Sequence, residues 1–336
     1  MVRPVVLQGA SLQLLNGLQR DFPLEPQPFL AVGRQLGLPE ASVLERLRNL
    51  RERGVLGRIG AVWNAGAGGA AALCALAVPP ARLAEVAQAV SDEPGVNHNY
   101  EREHDWNLWY VMTGVDARRV RETATRLAQQ AGVPSLFLPM VRAYRIDLGF
   151  DLSGTHAPAL AAPFVQPRST PVAPAERPLA ALAEQGLALV PRPYDLWAAE
   201  LGWTTGAVLT TLRRWQAGAT LRRFGAVVRH HEAGFGANAM TVVQAPPAQV
   251  DSLGAALAAQ PGVTLAYQRV PDTGWPYNLY FMVHGRERAA VQALVAQALE
   301  RTGARRYPHA TLFSGRRFKQ TGGRYFTDAA PVACPA

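Results

Sequence analysis

Apolar and polar positions along the chain follow one order of periods, twice. In the first half, residues 11–20, 29–36 and 39–53 carry apolar side chains at helical spacing, with Leu44, Leu47 and Leu50 forming the stripe of the third segment. Pro39 suits the first turn of that helix and Gly54 its stop. The run 55–62 then reads as a strand pair or wing, so the whole is a helix-turn-helix with a wing. Beyond it the period shortens to two. Strands are expected over 71–78, 96–102, 108–113 and 135–145, with helices over 81–90 and 117–130. That βαββαβ order is ferredoxin-like, a sheet with two helices on one face.

The second half repeats the pattern. Phe29 to Gly37 aligns with Tyr194 to Gly202, and Arg58-Ile59-Gly60-Ala61-Val62 with Arg223-Phe224-Gly225-Ala226-Val227. Pro94-Gly95-Val96 matches Pro261-Gly262-Val263, Tyr100 matches Tyr267, and Asn107-Leu108 matches Asn278-Leu279. Helices are expected over 194–201, 204–216, 248–259 and 287–300, a wing over 219–228, and strands over 237–244, 263–270, 279–283 and 305–313. The period is too long for a solenoid. The fold class is therefore α+β, a tandem duplication of a winged helix-turn-helix plus a ferredoxin-like domain. The segments are 10–64, 65–150, a Pro- and Ala-rich linker over 151–178, 179–230 and 231–328. Two fused copies can build inside one chain the pseudo-symmetric dimer that single copies build between chains, and they are free to diverge.

Composition narrows the partner. An apolar share of 49% and a charged share of 18% over 336 residues describe a globular protein with ample core. The net charge of +9 points to an anionic partner: nucleic acid, an acidic membrane surface or a polycarboxylate. Cys74 and Cys334 stand far apart and outside any paired motif, which argues against zinc and redox chemistry, and Cys74 reads as core. No secretion signal or membrane-length apolar stretch is visible, so the expected location is cytoplasmic and no membrane partner is expected.

Four runs concentrate chemistry. The first is Val96-Asn97-His98-Asn99-Tyr100-Glu101-Arg102-Glu103-His104, continued by Trp106-Asn107-Leu108-Trp109. The second runs from Arg222-Arg223-Phe224 through Arg229-His230-His231 to Asn238-Ala239-Met240. The third joins Tyr267-Gln268-Arg269 to Trp275-Pro276-Tyr277-Asn278-Leu279, and the last is Leu312-Phe313-Ser314-Gly315-Arg316-Arg317-Phe318-Lys319-Gln320. Guanidinium groups suit bidentate recognition of carboxylates. Aromatic walls suit an apolar ring, and imidazoles suit proton transfer or metal ligation. His231 would alternate to the opposite side of a strand from His230, and His284 at a strand end reads as structural.

These runs resemble the siroheme decarboxylases, relatives of the AsnC/Lrp regulators that work on tetrapyrroles. The first run is similar to one subunit type of that family and the other three to the second type; their fusion in one chain is the form associated with haem d1 biosynthesis. The likeness spans about residues 10–150 and 175–327. It implies loss of carbon dioxide from the C12 and C18 acetate side chains of siroheme, giving 12,18-didecarboxysiroheme, with no cofactor beyond the iron tetrapyrrole substrate. On this reading His98, His104, His230, Tyr100 and Tyr267 are the catalytic candidates, and His230 or His98 is a candidate ligand of the substrate iron. Substrate-binding candidates are Arg102, Arg145, Arg222, Arg223, Arg229, Arg269, Trp109, Trp275, Tyr277, Asn278, Arg316 and Lys319. Each has a structural alternative: sheet packing for the tyrosines, core for the tryptophans, a turn for Asn278, and a solvated tail for Arg316 and Lys319.

Two departures from the family pattern matter. Leu265 stands where the second subunit type often has His, and Arg145 where the first type often has His. The copies are therefore not equivalent, and one productive site per chain is expected. Expected partners are siroheme and its products, with a homodimer or related decarboxylase subunits as candidates. The alternative reading is a haem-responsive DNA-binding regulator. Arg46, Arg48, Arg51 and Arg53 on the third helix favour it, while the weakly basic helix of copy two, with only Arg213 and Arg214 near its end, opposes it.

Overall fold

The computed structural model describes residues 9–19, 22–146, 169–228 and 237–327. Copy one runs α1 (Gly9–Leu18), α2 (Pro28–Leu36), α3 (Glu40–Glu52), β1 (Leu56–Trp63), β2 (Ala70–Leu76), α4 (Leu83–Asp92), β3 (Val96–Arg102), β4 (Leu108–Gly114), α5 (Ala117–Ala131) and β5 (Ser135–Ile146). Copy two repeats the order as α6 (Arg177–Gln185), α7 (Pro193–Leu201), α8 (Thr205–Ala217), β6 (Leu221–Val228), β7 (Ala237–Val243), α9 (Val250–Ala258), β8 (Val263–Arg269), β9 (Leu279–Gly285), α10 (Arg288–Arg301) and β10 (His309–Gln320). These elements gather into two compact units, each drawn from both copies: residues 9–68 with 169–228, and residues 69–146 with 237–327.

In the helical unit, α3 buries Val43, Leu44, Leu47 and Leu50, and Gly37 closes α2 in the left-handed region at φ 66°. The expected wings differ from a strand pair within each copy. β1 and β6 instead pair with each other, antiparallel, with Gly60 opposite Gly225. A side chain at Gly60 would strike the carbonyl of Ala183, and one at Gly225 the carbonyl of Leu18. Each strand thus lets a helix of the other copy pass over it at van der Waals distance, which is why the repeated motif carries Gly there. Pairing between copies is non-local, so no local signature announced it.

The second unit is a closed barrel of eight strands in the order β10-β3-β4-β2-β5-β8-β9-β7. Each ferredoxin-like half supplies four strands, and the halves join where β10 meets β3 and β5 meets β8. Side chains alternate across each strand. One set packs against the helices: Cys74, Tyr110 and Met112 with α4 and α5, and Ala239, Phe281 and Val283 with α9 and α10. The other set, including Leu73, Trp109, Leu138, Met240, Tyr280 and Leu312, forms one cluster drawn from six strands, which places it in the barrel interior. Among the described residues no helix is long and apolar enough to cross a membrane.

Candidate functional site

The alternation that fills the barrel also arms it. On β3, Tyr100 pairs with lumen-facing Trp109, whereas Asn99 pairs with Tyr110 and donates its amide to the Ala87 carbonyl at 2.9 Å. His98, Tyr100 and Arg102 therefore share the inner face. The same register on β8 turns Tyr267 and Arg269 inward. Arg102 is buried and donates Nη1 to the Leu312 carbonyl at 3.0 Å; half-buried Arg269 donates Nη1 to the Leu138 carbonyl at 2.9 Å. The Nε of each is buried without a hydrogen-bond partner among the described residues. Burial lowers both guanidinium pKa values, that of Arg102 to about 10, so Arg102 stays charged at neutral pH. A buried cation without a carboxylate costs several kcal/mol, which an anionic ligand offsets.

Next to Arg102 lies a lateral polar row. Arg102 pairs with Ser314 of β10, whose hydroxyl donates to Asn238 Oδ1 of β7 at 2.5 Å, and Asn238 pairs with His284 of β9. The fields of Arg102 and His98 both reach His284. Enclosure lowers the pKa of His98 to about 4; for His284 enclosure leads, helped by Arg102 and His98, and the result is also about 4. Each keeps part of its surface accessible, and each is a neutral imidazole at pH 7. The Thr264 hydroxyl donates to the Met282 carbonyl at 3.2 Å, so its oxygen accepts from His284 Nδ1–H at 2.7 Å.

An aromatic group fills the interior beside these groups. The rings of Trp109 and Trp275 lie 5.3 Å apart, Tyr277 packs 4.8 Å from Trp275, and exposed His104 meets the edge of Trp275 at 5.3 Å. Two surface clefts, one beside Thr125 and Pro134 and one beside Gln13 and Gln35, carry no ionisable lining.

Comparison with known proteins gives the family. Residues 67–145 and 232–319 match the AsnC-like ligand binding domain, and residues 12–56 match the siroheme decarboxylase NirDL-like HTH domain. The chain is 42% identical to the siroheme decarboxylase NirDL subunit of Paracoccus pantotrophus, over 95% of this chain and 98% of that one. This chain belongs to the siroheme decarboxylase NirDL family. It is 31% identical to a siroheme decarboxylase of Hydrogenobacter thermophilus over 94% of this chain and 95% of that one. Its fold is similar to a crystal structure of the siroheme decarboxylase NirDL, with TM-score 0.68, 28% identity and 95% coverage of each chain. It is similar also to NirDL in complex with an iron-uroporphyrin III analogue, with TM-score 0.67, 27% identity and coverage of 95% and 94%.

Within the NirDL-type fold the remaining candidates separate. His98, Tyr100, Arg102, Tyr267, Arg269, Trp109, Trp275 and Tyr277 come together in the barrel unit, with His104 on the β3–β4 turn. Asn278 does not point a free amide at a ligand: it accepts from the Ala245 N–H and donates to the Ala245 carbonyl, both at 2.9 Å, clamping a turn. Asn107 clamps Val78 in the same way. Arg145 donates to the Ala258 carbonyl of α9 at 3.1 Å, on the helix-facing side. Lys319 Nζ donates to the carbonyls of Ser91 and Glu93, where α4 ends and its dipole is negative. Arg316 pairs with Glu101 at 2.8 Å on the surface. Arg222 and Arg223 belong to β6 of the helical unit, where Arg223 Nη1 donates to the carbonyls of Gln19 and Ala226. Arg229, His230 and His231 lie outside the described residues.

The sequence pattern assigns His284 a structural role, and the barrel also places it in the row that leads to Arg102. The signal was present in the alternation of Tyr280, Met282 and His284 along one strand face. Its link to Arg102 runs through two further strands and needed the register.

Proposed function

We propose that this chain is a siroheme decarboxylase, a carboxy-lyase that converts siroheme to 12,18-didecarboxysiroheme. The observation that carries the reading is the pair of buried guanidiniums, each with an unmatched Nε, inside an aromatic-lined barrel of a chain of the NirDL family. Siroheme is an apolar macrocycle ringed by carboxylates, and both features have a counterpart here. Each turnover breaks one bond between an acetate CH2 and its carboxylate. The electron pair passes into the adjacent pyrrole, carbon dioxide leaves, and one proton adds to the carbon to give methyl. No organic cofactor is needed, because the substrate ring itself takes up the charge.

Arg102 and Arg269 both hold carboxylates, and Arg102, in the row that carries the imidazoles, fixes the reacting acetate. His98 and His284 are neutral when the barrel is empty. A carboxylate placed beside either would favour the imidazolium, giving a proton source that forms on binding. A neutral imidazole nitrogen is also a ligand for the substrate iron, and an altered Soret band in a His98→Ala variant would reveal that role. Tyr100 and Tyr267 remain candidates to relay the proton. Anaerobic incubation with siroheme, followed by mass spectrometry, should show loss of two carbon dioxides. Unchanged siroheme despite tight binding would overturn the proposal. The protein acts in the cytoplasm on this reading.

A further inference from the structure

We propose that Asn97 is a positioning residue that fixes His98 in one tautomer, with its Nε2 lone pair turned to the substrate; this rests on the decarboxylase reading above. The argument begins with an irregularity. The register of β3 against β4 slips between Val96 and His98. Such a bulge lets consecutive residues present side chains toward each other and re-aims the second. Asn97 Oδ1 meets His98 Nδ1 at 2.5 Å.

The tautomer follows from the network around Asn97. Its Nδ2 donates to the Thr113 hydroxyl oxygen at 3.4 Å, which fixes the amide so that Oδ1 faces His98. Thr113 is itself held: its hydroxyl donates to the Gly95 carbonyl at 3.3 Å, and its oxygen accepts from the Arg324 N–H at 2.8 Å. An amide oxygen can only accept, so His98 Nδ1 must carry the proton and Nε2 the lone pair. Gly95 is required at this spot, since a side chain there would meet the Thr113 carbonyl at 2.7 Å.

The residues after β10 complete the lock. Thr321 N–H donates to the Asn97 carbonyl at 2.7 Å, Arg324 reaches Thr113, and Tyr325 packs over Gly69. Asn97 is thus gripped on its main chain and its side chain by the carboxy-terminal strap of the other copy. Partners that orient an imidazole in this way tune ligand strength and proton transfer without touching the substrate.

The full-length protein labelled with nitrogen-15 in its histidines tests this directly. Ring nitrogen shifts, assigned by loss of the His98 signals in His98→Gln, should show Nδ1 protonated in the parent chain. In Asn97→Leu the Nε2–H form, which free imidazole side chains prefer, should take over while the His284 signals and the melting temperature hold. Asn97→Asp keeps the acceptor and should keep the tautomer. An Nε2–H form in the parent chain, or no change in Asn97→Leu, overturns the lock. With siroheme, Asn97→Leu should lose about tenfold to a hundredfold in turnover with a smaller change in affinity, and Asn97→Asp should recover most of it. If the tautomer shifts but turnover does not, the positioning role is wrong while the decarboxylase reading stands. If the parent chain leaves siroheme unchanged, that reading falls while the ring shifts still judge the lock.

Discussion

The two sides of the barrel are built from the same rungs and filled differently. One row crosses β9, β7, β10 and β3 as His284, Asn238, Ser314 and Arg102. Its counterpart crosses β4, β2, β5 and β8 as Thr113, Ala71, Met140 and Arg269. Only the arginine is common to both. His98 in the first setting is likewise answered by Leu265 in the second. The duplicated fold kept an inward-facing arginine on both sides. Among the described residues His98 and His284 lie on one side, as the decarboxylase reading proposed above would favour for a single asymmetric ligand. Binding is shared between the rows on this view, and proton chemistry belongs to one.

Replacing the arginines tests that division most sharply. Arg102→Met and Arg269→Met should each weaken siroheme binding, because a buried charge pair loses one partner, an effect of about 2–5 kcal/mol. Turnover at saturating siroheme should fall by about a hundredfold or more only for Arg102→Met. Equal losses of turnover in both would make the rows functionally equivalent and break the comparison. Without substrate the same changes should raise the melting temperature, since exchanging a buried unmatched charge for an apolar side chain stabilises by about 1–4 kcal/mol.

The next effect concerns the imidazole row. His284→Leu should lower turnover about tenfold, as expected for one charge-assisted hydrogen bond, while Leu265→Met, a volume-conserving change in the opposite row, should leave turnover near the parent value. Separate measurement of siroheme affinity distinguishes a lost proton step from lost binding.

Acid stability offers a third handle. The folded-state pKa of His98 and of His284 is lowered to about 4, against about 6.5 for an unfolded chain. Between those values the unfolded state binds more protons, so stability is complete above about pH 6.5 and falls as pH drops toward 4. Each imidazole contributes a slope of at most about 1.4 kcal/mol per pH unit. Urea melts across this range should show a shallower dependence in His284→Leu than in the parent chain.

The smallest expected change is on the surface. Arg316 pairs with Glu101, and its counterpart Arg142 pairs with Asp251 at 2.9 Å. Alanine at either should cost less than about 1 kcal/mol of stability. Should Arg316→Ala alone weaken siroheme binding, with the deficit fading in high salt, Arg316 would join the carboxylate-binding set and extend the asymmetry to the rim.

Strand alternation made much of this visible in advance. The spacing of His98, Tyr100 and Arg102 on one strand, and its partial echo in Leu265, Tyr267 and Arg269, was enough to find the arginine pair and to expect unequal copies. Positions whose meaning depends on pairing between distant strands were not legible. His284 gains its neighbours only through β7 and β10, and the supposed wings are strands that seek each other across the duplication. Side chains with strong local partners misled in the other direction. Asn278 and Arg145 carry groups suited to a carboxylate, but nearby backbone carbonyls take them up.

Closure of the barrel at two seams also governs how the chain is made. When the first copy leaves the ribosome, β3 and β5 are the bare edges of a four-stranded sheet, and the strands that cover them, β10 and β8, are not yet synthesised. Exposed edges of this kind invite pairing with neighbouring chains. The nascent half must wait for most of the second copy before its sheet is sealed, and β10, the last of the eight barrel strands to be made, closes against β3 beside His98.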